Sequence, residues 1–128
     1  MSVALLDSGA VSRLAKRSTA SIVSIRALAS HGLWPAVVPT VVLVECLTDD
    51  PRRDARTNAL LKQCGVLHEI PERIARRAAA LRTRARRGSA VDALLVALAE
   101  PGGAVITRDV LDLDALAAYA VDVSVVVL

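Results

Sequence analysis

The sequence predicts one α/β domain, a three-layer α/β/α sandwich whose mainly parallel central sheet is covered by helices on both faces. Three observations carry this expectation. Short apolar runs alternate with helical patterns along the chain, as strands joined by crossover helices do. The length of 128 residues suits a single domain, able to bury about two-thirds of its unfolded surface and to fold without a disulfide or structural metal. Hydrophobic residues make up 54% of the chain, yet its aromatics are Trp34 and Tyr119 alone, so the core must be built from Ala, Val, Leu and Ile. Disorder, collagen-like repeats and a disulfide scaffold are excluded by that composition.

Val3 to Leu6 is a short apolar run stopped by Asp7-Ser8-Gly9, and reads as a buried strand feeding a helix from about Ala10 to Lys16. Ser18 to Ser30 carries Ile22, Val23, Ile25, Leu28 and Ala29 at helical spacing and ends at His31-Gly32, a C-cap signal. Ala36 to Val38 is a second strand between two prolines. Thr40 to Asp50 is ambiguous: Val41, Val42 and Val44 favour a strand by propensity, whereas Pro39 in a first turn and the following Leu47 allow a helix. Local propensity alone reads it as strand. Asp49 to Arg53 is a charged turn, and Arg56 to Cys64 a helix closed by Gly65. Val66 to Ile70 is a third strand, and Pro71 opens an arginine-rich helix. After Gly88, Ser89 to Glu100 is an apolar helix ended by Pro101-Gly102-Gly103. Ala104 to Thr107 and Val123 to Leu128 are the last strands, flanking a short helix near Leu113 to Tyr119.

No apolar stretch approaches the roughly 18 residues of a membrane span, and Trp34 to Val44 is interrupted by Pro35, Pro39 and Thr40. The N-terminus lacks the basic start of a secretory signal. Cys46 and Cys64 have no C-x-x-C spacing and read as small core residues. A cytoplasmic protein is expected.

Charge is unevenly placed. The net charge is +3, from 16 basic and 13 acidic residues. Arg73, Arg76, Arg77, Arg82, Arg84, Arg86 and Arg87 fall in one stretch without an acid; removing these seven leaves nine basic against thirteen acidic residues, a remainder of −4. The chain is thus an acidic body with one arginine-dense helix, either a footprint for phosphate backbone or a solvated face that docks an acidic partner.

Ligands of parallel α/β sheets bind beyond the C-terminal ends of the strands. Asp7 ends the first strand and Asp109 the fourth, with Asp112 one short turn later; Glu45 follows the second, and Asp92 lies in the first turn of the apolar helix. Taken singly, Asp7, Asp92, Asp109 and Asp112 each read as a helix cap or first-turn acid. Glu45 and Asp92 are harder to dismiss, because each interrupts an apolar segment where an unpaired charge is costly. Converging carboxylates repel, so that without a cation one or more should hold a proton. Oxygen ligands with no His or Cys favour Mg²⁺ or Mn²⁺ over zinc.

The segments Leu5-Leu6-Asp7-Ser8-Gly9-Ala10-Val11, Val38 to Glu45, Ser89 to Ala99 and Val105 to Leu113 closely resemble the four acidic motifs of PIN-domain ribonucleases. Their order and spacing resemble the VapC-like toxins of type II toxin–antitoxin pairs. The resemblance spans essentially the whole chain. It implies a PIN-like fold in which the glutamate lies on a helix, against the strand reading of Thr40 to Asp50. It implies catalytic acids at Asp7, Glu45, Asp92 and Asp109, with Asp7, Asp92, Asp109 and Asp112 as metal ligands for Mg²⁺, or Mn²⁺ in its place. Thr107, matching the hydroxyl residue before the fourth acid, would be an accessory that orients a water or a carboxylate. Arg108 is left to touch phosphate or stand in solvent.

By the same resemblance the chain is an endoribonuclease giving 5′-phosphate and 3′-hydroxyl ends. One or two Mg²⁺ ions would invert the local potential and stabilise charge on the attacked phosphate. With few aromatics for stacking, RNA contact is assigned to Arg73, Arg76, Arg77, Arg84 and Arg87, which suits a structured RNA. The implied partners are a VapB-like antitoxin, a second copy in a homodimer, and a toxin–antitoxin hetero-oligomer. The alternative is a non-catalytic PIN-like module binding RNA or protein, which would need a broken acid set. A receiver domain would want a late lysine, and a haloacid-dehalogenase-type phosphatase a second aspartate where Gly9 stands.

Overall fold

A computed structural model describes residues 3–128. Strands and helices alternate as β1 (Ala4–Leu6), α1 (Ser8–Ala15), α2 (Thr19–Ser30), β2 (Val37–Pro39), α3 (Thr40–Cys46), α4 (Ala55–Leu61), β3 (Gly65–Leu67), α5 (Glu72–Ala85), α6 (Ala90–Ala99), β4 (Ala104–Thr107), α7 (Leu111–Ala117) and β5 (Ser124–Val127). The five strands form one sheet in the order β3-β2-β1-β4-β5, and every pairing is parallel, with Leu5 opposite Val37, Leu6 opposite Ile106 and Thr107 opposite Val127.

That order has a topological consequence. The chain runs outward from β1 to β2 and β3, then crosses back to lay β4 on the other side of β1. The winding therefore reverses between β1 and β4, and their C-terminal ends open the crevice where such sheets bind ligands. Right-handed crossovers put the two halves of the chain on opposite faces. α1 lies on β1 and β4 with α2, α3 and α4 gathered about it, and α6 lies on the same two strands with α5 and α7. The three-layer sandwich expected from the sequence is the architecture found.

The buried core consists of Ala, Val, Leu and Ile side chains, Leu5, Leu6, Leu95, Val105 and Ile106 among the most enclosed. At its margin Gly103 allows a close approach: a Cβ there would lie 2.5 Å from Ala99 O and 2.8 Å from Val3 O. Only a residue without a side chain lets the end of α6 rest on the start of β4. At the same end of α6, Arg77 of α5 donates to both carboxylate oxygens of Glu100 at 2.8 and 2.9 Å, and Glu100 accepts from Val121 N. This clamp ties α5, α6 and the approach to β5 together.

One local reading is corrected. The segment after Pro39 is helix, not the strand its valines favour. β2 already ends at Pro39, whose φ of −67° starts the turn, and burial of Val42 beneath α1 outweighs β-propensity. Glu45 consequently stands exposed on this helix, so its charge does not carry the desolvation cost expected of an acid within an apolar run. Third-strand pairing covers Gly65–Leu67 rather than reaching Ile70. Among the described residues no helix is long and apolar enough to cross a membrane.

Candidate active site

Asp7 is the residue immediately beyond β1. In extended conformation (φ −83°, ψ 176°) it caps α1, its Oδ1 accepting from Ala10 N at 2.8 Å. Its other oxygen, Oδ2, accepts from the Thr107 hydroxyl at 2.5 Å. Thr107 closes β4 and is fully buried. The same hydroxyl oxygen accepts from Asp109 N at 2.9 Å, so one threonine joins the ends of two adjacent strands. Capping and convergence thus coincide in Asp7.

Three carboxylates act on each other here. Burial pushes the Asp7 carboxyl above its ordinary range; the bonds from Thr107 and Ala10 oppose this, while the charges of Asp92 and Asp109 add to it. Asp92, half-buried, sits in a full capping box: Ser89 Oγ accepts from Asp92 N at 3.0 Å, and Asp92 Oδ2 accepts from Ser89 N at 3.2 Å. Asp109 is exposed, with Oδ1 accepting from Leu111 N at 3.2 Å. Each of these acids is therefore held by a local bond through one oxygen. Among the described residues, Asp92 Oδ1 and Asp109 Oδ2 accept no hydrogen bond.

The remaining two predicted acids are placed differently. Glu45 is exposed on α3; burial raises the adjacent Cys46 thiol to about 11, and the charges of Glu45 and then Asp7 add to the effect. Asp112, in the first turn of α7, gives Oδ1 to Arg87 Nε at 2.9 Å. Among the described residues no group of three or more His, Cys, Asp or Glu side chains is gathered closely enough to hold a metal ion. Asp7, Asp92 and Asp109, near enough for the two other charges to act on Asp7, form a loose acidic basin.

The predicted RNA-binding arginines divide. Arg73 and Arg84 are exposed, and Arg76 makes a largely solvated pair with Glu72 at 2.7 Å. Arg77 and Arg87 are engaged, the first by Glu100 and the second by Asp112. Sequence spacing carries no trace of either pairing, because the partners lie 23 and 25 residues away. Two neighbours of the site also escaped the sequence reading as site residues. Cys46 faces Asp7 and Glu45 from the end of α3, where adjacency to Glu45 was the available signal. Gly9 lies between Asp7 and Arg108, as a Cβ placed on it would be 3.6 Å from Asp7 Oδ1 and 3.8 Å from Arg108 Cβ.

Away from the acids, α1, α2 and α4 enclose an apolar groove of about 380 Å³. Leu14, Ile22, Ile25 and Leu60 line it, and Arg17, Arg26 and Arg56 stand among its polar lining residues.

Residues 4–117 match the family model described as PIN domain. No curated protein matches the chain. Seven chains of solved structures match it, among them the crystal structure of PAE2754 from Pyrobaculum aerophilum. That chain is 16% identical, with a TM-score of 0.64 over 94% of this chain and 89% of its own. The likeness at this identity is one of fold.

Proposed function

The chain belongs to the PIN-domain family, whose members are generally nucleases, and from that premise we propose that it is a metal-dependent endoribonuclease, the toxin of a type II toxin–antitoxin pair. The observation that supports the reading most is that Thr107 bridges the ends of β1 and β4 through Asp7 and Asp109, and that the charges of Asp92 and Asp109 act on Asp7.

The chemistry of the donor set suits the divalent ion that PIN domains usually use, although among the described residues the acids are not gathered closely enough to hold it as they stand. Asp7, Asp92 and Asp109 offer hard oxygen ligands, and among the described residues Asp92 and Asp109 each have an oxygen free of hydrogen bonds. That chemistry suits Mg²⁺ or Mn²⁺. Asp112 would join the set on leaving Arg87. When bound, a divalent cation supplies positive charge for the attacked phosphate and activates water for hydrolysis of the phosphodiester bond.

The chain's own residues supply the rest. Thr107 fixes the orientation of Asp7, and its acceptance from Asp109 N holds the turn that presents Asp109. The capping box fixes the χ angles of Asp92 by both its backbone and its side chain. Glu45, exposed on α3, would be the fourth acid of this reading. Arg73 and Arg84, with Arg76, offer cations to the backbone of a structured RNA; Arg77 and Arg87 contribute to that surface only by giving up their carboxylate partners.

The apolar groove beside α1 supports the antitoxin part of the reading. Its arginines complement an acidic, apolar-faced segment such as a VapB-like antitoxin would bring. A homodimer and a cytoplasmic location belong to the same proposal.

The test compares wild type with Asp7→Asn, mapping RNA ends in Mg²⁺ and in EDTA. Asparagine keeps an oxygen for the helix cap but gives up the acceptor of the Thr107 hydroxyl, so a thermal melt beside the assay separates lost activity from lost fold. Cleavage by wild type in Mg²⁺ alone is expected. Cleavage that survives both the substitution and the chelator overturns the metal mechanism, and binding without cleavage points to the non-catalytic module.

A further inference from the structure

We infer that Arg108 is a substrate-contacting residue whose guanidinium grips the non-bridging oxygens of the phosphate being cut, an assignment that rests on the nuclease reading.

Its place in the fold makes the case. Arg108 lies between Thr107 and Asp109, two residues locked together by the bond from Asp109 N to the Thr107 hydroxyl. That lock fixes the backbone on both sides of it, so the root of the arginine is rigid while its side chain is exposed. The root sits beside the first turn of α1, where the position of a Gly9 Cβ is 3.8 Å from Arg108 Cβ and 3.6 Å from Asp7 Oδ1. Arg108 therefore stands at the rim of the carboxylate basin.

Among the described residues it forms no ion pair and no hydrogen bond through its side chain. This contrasts with Arg87, which Asp112 engages. A guanidinium flanked by acids, yet bound to none, keeps its full fork of donors. That fork matches two oxygens of a phosphate. A phosphodiester arriving at a basin of carboxylates meets repulsion, and an unneutralised arginine at the rim lowers it where the reacting phosphate must sit.

The experiment measures binding separately from cleavage. Fluorescence anisotropy of labelled tRNA, titrated with salt in Mg²⁺, compares Asp7→Asn with Asp7→Asn/Arg108→Ala and Asp7→Asn/Arg108→Lys. Loss of the arginine is expected to weaken binding about tenfold at low salt and to lower the slope of log K against log salt by about one. Lysine should restore the slope and part of the affinity. Unchanged affinity and slope in the Arg108→Ala protein overturn the assignment, as does an equal loss in the lysine variant. Thermal midpoints should agree, since the side chain makes no internal bond. The nuclease reading fails on a different result, the absence of Mg²⁺-dependent cleavage by wild type, and the anisotropy experiment still decides the role of Arg108.

Discussion

Thr107 donates its hydroxyl proton to Asp7 Oδ2 across 2.5 Å, joining the end of β4 to the end of β1 over a separation of 100 residues. The same oxygen accepts from Asp109 N. Replacing Thr107 with Val removes both bonds inside the protein and leaves a carboxylate oxygen and an amide without partners. A loss of about 1–3 kcal/mol in urea unfolding is expected, together with loss of RNA cleavage. Thr107→Ser keeps the hydroxyl and should retain both properties; a valine variant as stable and active as wild type would show that the bridge has no role.

Ser89 sets Asp92 through the capping box. Ser89→Ala should cost about 1 kcal/mol by loss of the cap, and it removes the bond that fixes Asp92 N. Cleavage should fall more than stability does, while Ser89→Asn, a residue that also caps, should recover both. Circular dichroism melts beside end-mapping assays separate the two effects.

Glu100 gives a pH dependence. The bonds from Arg77 hold its carboxyl below the ordinary value of 4.5, against the effect of burial. A depressed pKa means that the stabilisation is fully present above about pH 4.5 and disappears as pH falls through the lower folded value. Glu100→Gln should cost about 1–2 kcal/mol at pH 7 and flatten the stability profile below pH 4.5. Equal steepness in the two acid-unfolding curves would count against the clamp.

Two glycines should respond oppositely to alanine. At Gly103 the new Cβ would meet backbone oxygens at 2.5 and 2.8 Å, and about 3 kcal/mol or more of stability should be lost. At Gly9 the contacts are 3.6 and 3.8 Å, ordinary packing distances, so the change should stay within about 0.5 kcal/mol. Denaturant midpoints decide.

Periodicity made most of the elements legible. Val3 to Leu6, Ala104 to Thr107 and the capped apolar helix after Ser89 can be read from local chemistry alone, because burial, caps and breakers there agree. Thr40 to Cys46 cannot: three β-branched valines pull toward strand, and only the packing of Val42 decides for helix. Strand order is another matter. No property of β4 by itself says that it pairs with β1 rather than β3, so the closeness of Asp7 and Asp109 was reachable only through resemblance. Arg77 and Arg87 show the same boundary, as their carboxylate partners come from distant turns of the fold and a helical stripe drawn from sequence counts them as free.

The neighbouring of β1 and β4 also has a temporal meaning. During synthesis the bridge from Asp7 to Thr107 cannot form until the chain has been made through β4, 100 residues after Asp7. A nascent chain still lacking β4 would carry Asp7 without its clamp and without Asp109. The acidic cluster is thus incomplete in the half-made molecule, and the delay is written into the order of the strands.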